Sequence, residues 1–183
     1  MKKTIVLFAV ATAFITSCGT DANKTEGTMG ENKMADSTMA ESKTERNKKV
    51  IKASFAAMES KNVAEMLKDC TDDCVDYGDG SMPPVKGKDS IMKMIQGWMN
   101  AFPDNKGSDL KFVADGDWVM VWGEWSGNWK GDFMGMKATN KSYKLKDVDI
   151  FKMNDAGQVV EHHNVQSPNT MMMQVGMAPP KKK

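Results

Sequence analysis

The spacing of apolar residues changes character along the chain. Ile5 to Ile15 is an almost continuous apolar run, and residues 19–46 then hold no aromatic residue and no Leu, Ile or Val. From Asn47 a helical period sets in, with Val50, Ile51, Phe55 and Met58 on one stripe. Asn62 and Glu65 follow in the spacing of a capping box, which predicts a second helix. "CVDYGDG" alternates as a short strand and breaks at Gly78 and Gly80. "SMPPVKGKDS" reads as an extended loop, and Ile91, Ile95, Trp98 and Phe102 mark a third helix that stops at "FPDNKG".

Beyond that stop the period becomes two. "DLKFVADGDWVMVWGEWSGNW" predicts two strands joined at Asp115-Gly116, "KSYKLKDVDIFKM" a third and "QVVEHHNVQ" a fourth. Helices followed by antiparallel strands predict an α+β fold. Around Trp122, residues Trp118, Met120, Trp122 and Glu124 share one face, while Val119, Val121 and Trp125 share the other. Both faces are apolar and the helices can cover only one, so a homodimer is expected over the other.

The ends of the chain carry a different message. Two lysines, a run of about a dozen apolar residues and then "ITSC" form an export signal too short to span a bilayer core of about 30 Å. The expected division is a signal peptide at 1–17, a disordered tether at 18–46, a folded domain at 47–176 and a basic tail at 177–183. Met29, Met34 and Met39 recur in the tether at a spacing that fits neither helix nor strand, and we read them as low-complexity sequence. With 25 basic and 24 acidic residues the net charge is +1. No basic patch interleaved with aromatics stands out, so no nucleic-acid partner is expected. Cys70 and Cys74 are four apart in an exported chain, which leaves open either a bridge or two separate thiols.

Chemistry concentrates near the C-terminus, in "EHHN". On a regular strand His162 and Asn164 face one way, and Glu161, His163 and Val165 the other, so the adjacent histidines do not converge on one metal. No other spacing announces ligands, and no metal site is expected. The catalytic candidates are His162, Asp149 and Glu124. Asp149 is a possible base if its face looks inward, and Asp147 is read as surface charge. Tyr77, Trp98, Trp122, Tyr143 and Asn164 are the candidate ligand-binding residues, offering stacking and hydrogen-bonding surface.

The strings "VKGKDSIMKMIQGWMNAFPD", "GNWKGDFMGMKATNKSY" and "DVDIFKMNDAGQVVEHHNVQ", in that order, resemble the SnoaL-like polyketide cyclases of the nuclear transport factor 2-like superfamily. The resemblance implies a cone, with a curved antiparallel sheet wrapping helices around a pocket. It also implies aldol-type ring closure by proton abstraction beside a carbonyl, without metal or organic cofactor. The match is uneven at the site. His162 keeps its place, but Asn164 stands where the family has a carboxylate, and an amide takes up no proton at neutral pH. Trp129 replaces a family histidine. Thr139 is retained, while Ala138 and Asn140 replace a proline and a glycine.

"ITSC" resembles a lipoprotein lipobox, which implies a lipid on Cys18, with Gly19 after it compatible with outer-membrane sorting by resemblance to enterobacterial lipoproteins. The expectation is a lipid-anchored domain in the bacterial cell envelope that binds a small apolar or aromatic molecule, with catalysis lost or altered. The alternatives are an active cyclase or isomerase using His162 with Asp149 or Glu124, and a protein-interaction module using the outer sheet face.

Overall fold

The computed structural model describes residues 41–165 and 168–177. Cys18, the signal segment, the tether up to residue 40 and the tail from residue 178 lie outside the described residues. In chain order the elements are α1 (Lys43–Glu59), α2 (Val63–Met66), β1 (Cys70–Asp76), β2 (Val85–Lys86), α3 (Lys88–Ala101), β3 (Lys106–Asp115), β4 (Trp118–Asn128), β5 (Ser142–Met153), β6 (Val159–Asn164) and α4 (Pro168–Val175).

Local chemistry sets the helix starts. The Ser42 hydroxyl accepts the Glu45 N–H and Asn62 Oδ1 accepts the Glu65 N–H, each satisfying a donor the first helical turn leaves free. The first cap corrects the boundary at residue 46, because residues 43–46 are already helical. Met177 is likewise part of the folded unit and not of the tail, being only 7% exposed.

The six strands form one sheet in the order β2-β1-β6-β5-β4-β3. All neighbours run antiparallel except β1 and β6, which are parallel. Register shifts between Cys70 and Val75, between Ser108 and Lys111, and between Lys152 and Met153 break the ladder. Such irregularities bend strands and help a sheet curve around helices. The outcome is the α+β cone expected from the sequence.

Alternation along β4 decides what lies inside. Val119, Val121 and Trp125 are buried, whereas Trp118, Met120 and Trp122 remain exposed on the outer face. Phe55 of α1 packs inward against Phe112, Trp125 and Phe151, joining the helix layer to β3, β4 and β5. Trp98 of α3 stacks on Phe102 with ring centroids 4.2 Å apart. Trp129 is 1% exposed, and its indole N–H donates to the Gly131 carbonyl at 2.6 Å. The residue standing in for a family histidine therefore fills the core. Asn140 adopts φ 60°, a conformation asparagine tolerates, so the loop keeps its turn without glycine.

Candidate active site

The site is built where three neighbouring strands meet. In the β1–β6 pair Asp76 lies beside His162, and in the β5–β6 pair Asp149 lies beside Asn164. The pleat turns Asp147 and Asp149 of β5 to the same side as His162 and Asn164 of β6. Asp76, Asp147, Asp149, His162 and Asn164 thus line one end of a cavity of about 400 Å³.

His162 is held from both sides. Its Nδ1 is 3.0 Å from Asp76 Oδ2, and its Nε2 is 3.2 Å from Asp149 Oδ1. Carboxylates accept and do not donate, so both ring nitrogens must carry protons, which makes the ring an imidazolium. Burial alone would lower its pKa, but the bonds to Asp149 and Asp76 outweigh burial and push it up to about 10. A ring protonated at both nitrogens cannot accept a proton. His162 is therefore unavailable as a base, although as an imidazolium it can still donate a proton, and it stands as a cation between two carboxylates. Of its two expected partners Asp149 is in contact with it and Glu124 is not. Asp76 shows the reciprocal effect. Burial would raise its pKa, yet the His162 contact and the Gly78 N–H at 2.8 Å bring it below the ordinary carboxylate value.

Asp147 is the odd carboxylate. It is 7% exposed, which overturns its reading as surface charge. Its Oδ1 accepts the Val148 N–H at 2.7 Å, and its Oδ2 has only a long 3.5 Å contact with Asn164 Nδ2. Burial first, and then the neighbouring Asp149 charge, raise its pKa. With the Asn164 amide nitrogen turned toward Asp147, Asn164 Oδ1 is left buried without a partner. A carboxylate therefore sits beside Asn164, although the residue itself is an amide.

The other sequence candidates divide by strand face. Trp98 and Tyr143 line the cavity, and the Tyr143 hydroxyl donates to Asn105 Oδ1. Glu124 lies outside, because Val121 and Trp125 of the same strand point in, and it pairs with Lys144 at 2.7 Å. Trp122 is on that outer face too, 40% exposed. Tyr77 is outside the cavity lining and stacks on His163 at 4.7 Å, which places His163 away from the site. The sequence reading missed Asp76, which shares a face of β1 with buried Cys74; that period-two signal was available, but the parallel pairing with β6 was not.

Much of the remaining wall is soft and apolar. Met58, Met66, Met94, Met99 and Met171 contribute flexible thioethers, with Phe133 and Phe151 among the rings. Cys70 and Cys74 also line it and both are free, so no bridge joins them. Burial pushes the Cys70 thiol up to about 12 and raises that of Cys74, which keeps both neutral and weakly nucleophilic. Among the described residues no group of three or more His, Cys, Asp or Glu has a metal-holding arrangement.

A curved, unclosed sheet wrapped around helices over a pocket is the nuclear transport factor 2-like fold. Within it, the chain belongs to the SnoaL-like polyketide cyclase family, whose description matches residues 48–175. A solved structure provisionally named a SnoaL-like polyketide cyclase, from Jannaschia sp. CCS1, aligns with TM-score 0.68 and 19% identity over 76% of this chain and 97% of its own. A provisionally named polyketide cyclase from Xanthomonas campestris gives 0.67 and 19% over 73% and 99%. AclR of Streptomyces galilaeus, provisionally named a hydroxylase, gives 0.61 and 24% over 73% and 97%. At these identities the structures establish the shared fold. A comparison with curated proteins gives no match.

Proposed function

We propose that the domain is an acid–base enzyme acting on a small, largely apolar carbonyl compound, with Asp147 as the base. The observation that carries this reading is the double engagement of His162, which removes the histidine as a base and leaves Asp147 as the buried carboxylate of the cavity whose Oδ2 has only a long contact. A carboxylate whose pKa is raised by burial is poised to exchange protons nearer neutral pH. In the forward step an Asp147 oxygen takes a proton from the carbon beside the carbonyl, and the C–H electron pair becomes an enolate. The enolate carbon then attacks a second carbonyl of the same molecule, forming the ring bond, and Asp147 returns its proton to the new alkoxide. The aldol class is what the family name suggests, and the apolar walls suit it by excluding water.

Deuterium exchange at the acidic carbon of 1,3-diketone probes in D₂O tests the assignment. The protein should accelerate exchange, and Asp147→Asn should remove roughly a hundredfold or more of that acceleration, the usual range for a positioned base. Undiminished exchange in Asp147→Asn would reject the base. A panel of probes that bind but never exchange would favour the second reading, a binding domain with lost catalysis, which the amide at Asn164 supports. We also infer from "ITSC" that Cys18 carries lipid and anchors the domain to a membrane of the cell envelope.

A further inference from the structure

The cavity has a charge that its apolar walls make consequential. Asp76, Asp147 and Asp149 face one cation, His162, and neither lysine nor arginine is among the described residues that line it. The two carboxylates that hold His162 already outnumber its single charge. Ionised Asp147 adds a second net negative charge, in a place where it is 7% exposed and where only its Oδ1 has a short hydrogen bond, from the Val148 N–H, while Oδ2 has the long amide contact. Buried charge is tolerated when it is paired, and here the chain supplies no further partner from the described lining.

Hydrogen-bond chemistry points the same way. Asn164 Oδ1 is a buried acceptor without a donor, and Asp147 Oδ2 is an acceptor with only the long amide contact. The carboxylate end of the cavity therefore offers acceptors to a group that brings donors, while the Trp125 indole N–H elsewhere in the lining is a buried donor without a partner. An anion would bring neither donors nor compensating charge. Aromatic rings of Trp98, Trp125, Phe133 and Phe151 line the cavity as well, surfaces that attract cations through their faces.

We propose that the ligand is an amphiphilic organic cation: a protonated amine at one end, placed against Asp147 and Asn164 Oδ1, and an apolar or aromatic body along the methionine and aromatic wall. This rests on the cavity being the substrate site, as argued above, and adds the substrate's charge. The ammonium donates to Asp147 and Asn164, and by pairing with Asp147 it keeps that group ionised. It would also stabilise negative charge on an enolate formed beside it. Anionic acids and phosphates are excluded by the same field.

Phenylbutylamine, phenylbutanol and phenylbutyrate share one apolar body and differ in the charge of the head, so calorimetric titration of the three into the protein isolates the charge effect. The amine should bind about tenfold tighter than the alcohol and the carboxylate at least about tenfold weaker than the alcohol, as expected for a desolvated charge partner. Asp147→Asn should bring the amine to within about threefold of the alcohol, with circular dichroism and thermal unfolding of the variant reporting that its fold is intact. Carboxylate binding equal to that of the amine, or absence of amine binding, would overturn the proposal; the wild-type ranking alone decides this if the variant does not fold. Failure of the catalytic reading is distinguishable, because it would appear as amine-selective binding with no deuterium exchange on any carbonyl probe.

Discussion

His162 shows how one residue's role turns on the donors around it. With Asp76 at 3.0 Å and Asp149 at 3.2 Å, the ring is more basic than a free imidazole, and its pKa is raised from 6.5 to about 10. A group whose folded pKa is raised contributes stability that is fully present below its unfolded pKa and is lost as pH rises through the folded value. The His162 contribution should therefore be complete below pH 6.5 and decline toward about pH 10. Asp76, lowered from 3.8, behaves oppositely, with a contribution present above pH 3.8 and lost on acidification below it. Urea unfolding from pH 6 to 9.5 should show a falling midpoint in the wild-type protein, with an alkaline loss on the order of a few kcal/mol. His162→Gln removes the cation between two part-buried carboxylates, so it should cost up to about 3 kcal/mol at pH 6 and flatten this alkaline slope. An unchanged slope in the variant would show that His162 is not the titrating group.

At the scale of elements, the sequence revealed what period and turn chemistry encode. The stripe Ile91, Ile95, Trp98 and Phe102 marked α3 and the Asn62–Glu65 pair marked the start of α2. The alternation around Trp122 separated the two faces of β4 without telling which looks inward, so Trp122 and Glu124, expected at the site, lie instead on the outer face. What remained hidden depended on pairing between distant strands. Asp76 meets His162 through a parallel β1–β6 contact, and Asp147 is buried because its stretch of β5 faces the helices; neither fact is written in local periodicity. The free state of Cys70 and Cys74 was equally beyond a spacing argument. The outer face raises an element-scale question of its own, because Val113, Trp118, Met120 and Trp122 are 37–61% exposed side by side on β3 and β4. Lys146 and Lys152 lie 5.5 Å from the Trp122 and Trp118 rings, which covers only part of that apolar area. A contiguous apolar sheet face of this kind favours self-association. Sedimentation equilibrium should report a dimer for the wild type and a monomer for Trp122→Glu with an unchanged fold; a wild type that stays monomeric at about 100 μM would reject the expected pairing.

For the whole molecule, the decisive relation is between the cavity and the proposed anchor. A chain of n residues reaches at most about 3.4 Å per residue, so the stretch from Cys18 to Ser42 can hold the domain no farther than about 80 Å from a lipid-bearing Cys18. An amphiphilic ligand partitions into membranes by the same apolar burial that would hold it in the methionine-lined cavity, so anchoring would raise the ligand concentration the cavity meets. Among the described residues no helix is long and apolar enough to cross a membrane, and the attachment proposed here is through an acylated Cys18. Stable anchoring requires more than one buried acyl chain, which a lipoprotein-type modification provides. Cells fed an alkyne fatty acid should label the wild-type protein and leave Cys18→Ala unlabelled. The variant should leave the membrane fraction while retaining the amine-selective binding of the wild-type cavity. Labelling that persists in Cys18→Ala would place the lipid elsewhere and end the anchor proposal. Loss of ligand binding on release from the membrane would show instead that the cavity depends on the bilayer for its shape.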